Sequence, residues 1–139
     1  MSKMVIVYMA DGMEMCECPL TVDILRRAGL NVVTASIMGR KEVKSSHQVL
    51  ISVDALAEDV DYNSAEMIVL PGGRVGTENL AASSTVTDQC RKFAETKKVA
   101  AICAAPSVLA GLGCSKAKEL HAIRILRERC TVRSLQESL

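Results

Sequence analysis

Aromatic residues are scarce in this sequence: among 139 residues there is no tryptophan, and Tyr8, Tyr62 and Phe93 are the only aromatic rings. Stacking platforms for single-stranded nucleic acid and the aromatic anchors of many protein interfaces are therefore nearly absent. An excess of one charge is missing too, since 17 Lys and Arg face 16 Asp and Glu. Net charge gives no reason to expect a nucleic-acid partner. With only 8 Gly and 3 Pro, a fibrous or low-complexity chain is excluded. No apolar run approaches the ~20 residues of a membrane helix, and Met1 leads straight into a strand-like pattern without a charged leader and cleavage site. The sequence points to a cytoplasmic protein with no membrane partner.

Six cysteines, Cys16, Cys18, Cys90, Cys103, Cys114 and Cys130, would form a disulfide framework in a small secreted domain, but nothing signals secretion and reduced thiols are expected. Cys16 and Cys18 have no second pair at zinc-ligand spacing, and His47 and His121 stand apart, so no metal site is expected.

What is present is an aliphatic α/β pattern. Residues 3–9 (KMVIVYM) form a short, almost continuous apolar run, as in a strand buried on both faces of a parallel sheet. The segment from Cys16 to Ala28 places Leu20, Ile24 and Ala28 at helical spacing and stops at Gly29, predicting an amphipathic helix with those residues inward. Residues 30–36 give a second strand and hence a βαβ unit. Residues 43–53 suggest a small hairpin, and 55–60 a helical turn. Residues 66–70 read as a third core strand ending in Pro71-Gly72-Gly73. Thr85 with Asp88 is expected to cap a helix that turns Val86, Cys90 and Phe93 inward. Residues 99–102 are a fourth core strand running into Cys103-Ala104-Ala105-Pro106 and a short helix.

Open parallel sheets bind ligands beyond the carboxyl ends of their strands, and the segments ADGMEMCE, PGGRVG and CAAP all fall there. The fold would gather Glu17, Gly72, Gly73 and Cys103 in one crevice. A cysteine among alanines is by itself an ordinary core residue. At a strand-to-helix elbow it becomes a candidate nucleophile whose pKa a helix dipole would lower. Gly72-Gly73 is either a plain turn or a source of N–H groups for an oxyanion. Glu17 either caps the first helix or shares a proton with Cys103.

The blocks VIVYMADGMEMCE, PLTVDILRRAGLNVVTAS, IVLPGGRVGTENL and VAAICAAPSVLAGLG resemble, in order, those of the DJ-1/PfpI (ThiJ-like) family. The resemblance implies a flavodoxin-like three-layer sandwich with a parallel sheet, a reactive Cys103, its partner Glu17, oxyanion donors near Gly73 and Ala104, and a homodimer. It also implies chemistry on reactive aldehydes or dicarbonyls of the glyoxalase or deglycase type, with a small carbonyl compound as substrate and no metal or organic cofactor. A cysteine-based redox sensor or chaperone, and an inactive fragment of a protein labelled for thiazole monophosphate biosynthesis, are the alternatives. The protease branch typically carries His after the nucleophile, where this chain has Ala104. In the family, the hairpin that holds His47 approaches the partner subunit.

The resemblance divides the chain into an incomplete α/β domain, residues 1–113, and a tail, residues 114–139, that lacks the family's C-terminal strands and helix. The first part holds 11 basic and 13 acidic groups, the tail 6 and 3. The tail reads as a surface helix, with Leu120, Ile123 and Cys130 inward and His121 outside any triad, or as a poorly packed segment. Reading possible codons for Gly113 to Arg124 from the third base of the first gives Leu-Leu-Lys-Gly-Lys-Arg-Ala-Thr-Cys-Tyr-Pro, similar to the segment after the elbow helix in bacterial relatives. A one-base deletion is the expected origin, with activity impaired.

Overall fold

The computed structural model describes residues 3–114. Five parallel strands form one sheet: β1 (Met4–Met9), β2 (Asn31–Ser36), β5 (Ala55–Leu56), β6 (Ala65–Leu70) and β7 (Lys98–Ala101). Their order is β5-β2-β1-β6-β7. The hairpin strands β3 (Glu42–Lys44) and β4 (Leu50–Ser52) pair antiparallel beside it. The helices are α1 (Cys18–Arg27), α2 (Arg74–Ala82), α3 (Ser84–Thr96) and α4 (Pro106–Gly111). The architecture is the flavodoxin-like sandwich expected from the sequence. Among the described residues no helix is long and apolar enough to cross a membrane.

β1 shows why the sheet is buried on both sides. Val5, Val7 and Met9 join one cluster with Cys18 and Val22 of α1, while Ile6 and Tyr8 join the other with Leu80, Val86, Cys90 and Phe93 of α2 and α3. Period-two alternation sends successive side chains to opposite faces, so a continuous apolar run is what two covered faces require. The three aromatic rings gather on the second face. Tyr8 donates to the Tyr62 hydroxyl, Tyr62 donates to the Ala57 carbonyl, and the Tyr62 and Phe93 rings meet edge to face at 6.4 Å.

Several local expectations need correction. Helix α1 starts at Cys18, with Pro19 in its first turn, and it buries Cys18 and Val22. Leu20 and Ile24 are 54% and 55% exposed, and Ala28 is exposed as well. The segment carries two apolar stripes on opposite sides, and periodicity alone cannot choose between them. Residues after Gly73, to which the sequence assigned no element, form α2; its buried face holds Gly76, Thr77 and Leu80, too little apolar surface to show as a pattern. Ser83, not Thr85, caps α3, its hydroxyl accepting from the Val86 N–H at 3.4 Å. Ser83 has the extended backbone of a cap, whereas Thr85 already lies within the helix. The turn expected at 55–60 is present at Ala57–Asp59, but Ala55 and Leu56 pair with β2 as an edge strand.

Candidate active site

The strand order reverses at β1, which lies between β2 and β6, and the segments following β1, β6 and β7 meet beyond that point. After β7 the Ile102 N–H bonds to the Leu70 carbonyl at 3.2 Å, and the chain then turns through Cys103 into Pro106 at the start of α4. The turn is tight enough to force Cys103 into the left-handed region, φ 59°. A non-glycine residue rarely adopts this conformation, and it persists only where the surroundings hold it. Cys103 is exposed as a residue, with its sulfur partly shielded in the turn.

Glu17 is the last residue before α1. Its side chain makes no capping hydrogen bond, which decides between its two sequence readings against the cap. Its Oε2 atom is instead buried without a hydrogen-bond partner of standard geometry, and it faces the thiol across Gly72. A Cβ on Gly72 would collide with Glu17 Oε2 and lie 2.8 Å from Cys103 Cβ. Only glycine lets the carboxyl and the thiol approach from either side of that backbone. Gly73, at φ 96°, is equally constrained, since a Cβ there would lie 2.5 Å from the Gly12 carbonyl and 2.9 Å from the Glu14 nitrogen.

Burial, followed by the hydrogen bond and negative charge of Glu17, raises the Cys103 thiol above its ordinary value; the backbone N–H groups of Ala104 and Gly73 pull it down. The dipole-lowered thiol expected from the elbow is therefore corrected. Helix α4 has six residues and opens with Pro106, three residues beyond the sulfur, so burial together with Glu17 outweighs it. Cys18 and Cys90 are buried, and desolvation pushes both up to about 12. They are inert packing residues.

All five residues singled out from the sequence, Glu17, Gly72, Gly73, Cys103 and Ala104, thus converge. His47 does not join them: it is exposed in the hairpin, with Nδ1 3.1 Å from Ser46 Oγ, which in turn donates to Glu14 Oε1 at 3.0 Å. His121, Leu120, Ile123 and Cys130 lie outside the described residues. Sequence reasoning missed the cleft beside the site, whose walls include Asp11, Glu14, Lys44 and Arg74. Among the described residues no three His, Cys, Asp or Glu side chains gather as a metal site.

The DJ-1/PfpI family profile matches residues 3–133. The chain belongs to the DJ-1/PfpI family. Its match continues past Gly113, where the recognisable blocks stop. The chain is 40% identical to Protein dj-1beta of Drosophila melanogaster over 121 residues, covering 86% of this chain and 65% of that protein. It is 37% identical to the Parkinson disease protein 7 homolog of Danio rerio, over 80% of this chain and 60% of that one. The crystal structure of Drosophila melanogaster DJ-1beta superposes with a TM-score of 0.78, covering 81% of this chain and 61% of that structure. This DJ-1/PfpI chain therefore spans just under two thirds of the length of these relatives.

Proposed function

We propose that the chain acts on reactive aldehydes and dicarbonyls through Cys103, with chemistry of the glyoxalase or deglycase type. The observation that carries this reading is the left-handed Cys103 at the strand-to-helix elbow, packed against Gly72 with the buried Glu17 carboxyl against the same glycine. In the proposed step the Cys103 sulfur bonds to the carbonyl carbon and gives up its proton to Glu17. The carbonyl π electrons move to oxygen, which Gly73 and Ala104 N–H groups stabilise until Glu17 returns the proton. With methylglyoxal, a further proton shift and attack by water release lactate. Addition and release leave the cysteine unchanged and call on no cofactor.

Lactate formation from methylglyoxal tests the reading. Cys103→Ala is expected to reduce it to background, and activity that survives the substitution overturns the assignment. A homodimer in the cytoplasm is the proposed setting: Leu20 and Ile24 give α1 an apolar outer stripe that a second copy would cover. Light scattering of Leu20→Glu with Ile24→Glu should then report monomers.

One observation favours a second reading, a redox sensor. Cys103 is exposed beside the partnerless Glu17 Oε2, and a solved relative, 34% identical, is described as Toxoplasma gondii DJ-1, oxidized. Two equivalents of peroxide would convert the thiol to a sulfinic acid and two waters. A mass gain of two oxygens on Cys103 without lactate formation would select this reading.

A further inference from the structure

Next to the Gly72-Gly73 turn lies a cleft of about 360 Å³, bounded by the β1–α1 loop, the β3–β4 hairpin and the start of α2. It has the size of a small-molecule subsite. It also shares a wall with the thiol site: the Glu14 N–H bonds to the Gly72 carbonyl at 3.3 Å, Gly72 packs against Cys103, and Arg74 directly follows Gly73, which abuts Gly12 and Glu14. A molecule bonded to Cys103 and extended past Gly72-Gly73 would reach toward this cleft, whose Gly12 and Glu14 backbones abut Gly73.

The charges on its walls are unequally committed. Asp11 is taken up by Arg40, at 2.5 Å, and by the Lys44 backbone N–H, at 2.9 Å. Glu14 accepts from Ser46. Lys44 has no ion pair among the described residues, and Arg74 has only a loose one, 3.6 Å to the exposed Glu78. With Asp11 paired to Arg40 and Glu14 bonded to Ser46, Lys44 and the loosely paired Arg74 are the wall charges left for a guest, and they suit a negative one.

We propose that this cleft is an anion subsite of the Cys103 centre, selecting short aldehydes that carry a carboxylate at the far end over neutral aldehydes of the same length. Lys44 and Arg74 hold the carboxylate while the aldehyde carbon meets the sulfur. The inference rests on the carbonyl chemistry proposed above. The bonded state is a hemithioacetal: the S–C bond forms, the thiol proton ends on the former carbonyl oxygen, and nothing is oxidised or reduced.

Succinic semialdehyde and butanal, both of four carbons, can be compared as protectants of Cys103 against iodoacetamide, read by peptide mass. Succinic semialdehyde is expected to protect roughly fivefold more effectively, as suits partly exposed ion pairs. The preference should shrink in 1 M salt and vanish in the Lys44→Gln, Arg74→Gln double variant. Equal protection by the two aldehydes overturns the subsite. So does a preference that survives the double substitution or ignores salt. Protection by neither overturns the subsite and the carbonyl chemistry together, whereas a salt-sensitive preference without lactate formation from methylglyoxal supports the subsite and removes only the proposed turnover.

Discussion

At Gly72 and Gly73, on the carboxyl edge of the sheet, a methyl group would collide with Glu17 and Cys103, or with the Gly12 carbonyl and the Glu14 nitrogen; at Gly111, at the end of α4, it would meet nothing within 4 Å among the described residues. The same contrast separates the whole edge from the faces of the sheet. The faces bury aliphatic side chains in ordinary backbone conformations, with Ile6, Val7, Ile68 and Leu70 fully enclosed. The edge combines a left-handed cysteine, a buried carboxyl oxygen without a partner, and backbones packed too closely for a side chain. Each of these features costs stability. Their accumulation at one place, opposite an economical core, is the pattern expected of the proposed site, where chemistry rather than packing would set the geometry.

The sharpest way to break this comparison is to add one methyl group at each kind of site. Gly72→Ala forces the new Cβ between Glu17 and Cys103 and should cost about 1–3 kcal/mol in urea denaturation, as overpacking does. It should also abolish carbonyl conversion. Gly111→Ala should leave stability and reactivity intact, because the added methyl meets nothing within 4 Å among the described residues, at a helical position that favours alanine. Equal tolerance of the two substitutions would remove the distinction between edge and faces.

Glu17→Gln separates the two things asked of this carboxyl. Burial first, then the Glu17 hydrogen bond and charge, raise the Cys103 thiol; removing the charge leaves burial but lowers the thiol pKa, so more thiolate is present at neutral pH. Alkylation by iodoacetamide should therefore quicken several-fold and its pH midpoint move down. Lactate formation should fall by about 10²-fold or more, because the proton relay is gone. Slower alkylation would instead mean that a protonated Glu17 donates to the thiolate, which reverses the direction of the coupling.

A smaller effect isolates the backbone strain. At φ 59° any residue with a Cβ pays for the left-handed conformation. Cys103→Gly should accordingly be more stable than Cys103→Ala by about 1 kcal/mol, although both lack the nucleophile. Elsewhere in the sheet, glycine would be the worse replacement. A more stable alanine variant would show that the elbow is relaxed.

Much of this edge was legible in the sequence because parallel sheets place their strand ends together, and apolar runs locate those ends. Residues 3–9, 66–70 and 99–102 carried the positions of Glu17, Gly73 and Cys103 with them. The rotation of α1 was not legible, since Cys18 with Val22 and Leu20 with Ile24 are equally periodic, and only packing against Val5 and Val7 chooses. Nor was the sign of the thiol shift, which depends on how far the fold buries the sulfur and brings Glu17 to it rather than on residue types. Lys44 and Arg74 stand 30 residues apart and share a cleft only because the Gly12 and Ser46 N–H groups fasten the hairpin to the β1–α1 loop, at 2.8 and 2.9 Å. No local pattern encodes that docking.

The mildest prediction concerns a fastening away from the site. Asp54 accepts from the Thr34 N–H and hydroxyl and from Arg26, each at 2.9 Å, tying β2, α1 and the start of β5 together. Burial works against ionisation, but these donors prevail and hold the carboxyl below its usual range. A depressed folded-state pKa stabilises the protein above the unfolded value of about 3.9, and that stabilisation is lost as pH falls through the folded value. The side chains of Arg26 and Asp54 are 48% and 50% exposed, so solvent screening limits the contribution to about 0.5–1 kcal/mol. Asp54→Asn should therefore lower stability by that amount at pH 6, and the gap from the parent protein should narrow by pH 3, measured by urea denaturation at both pH values. A gap of the same size at pH 3 would show that packing or geometry, not the charge, holds this corner. Iodoacetamide alkylation of Cys103 should stay unchanged in Asp54→Asn; a changed rate would mean that the faces and the carboxyl edge are not independent after all.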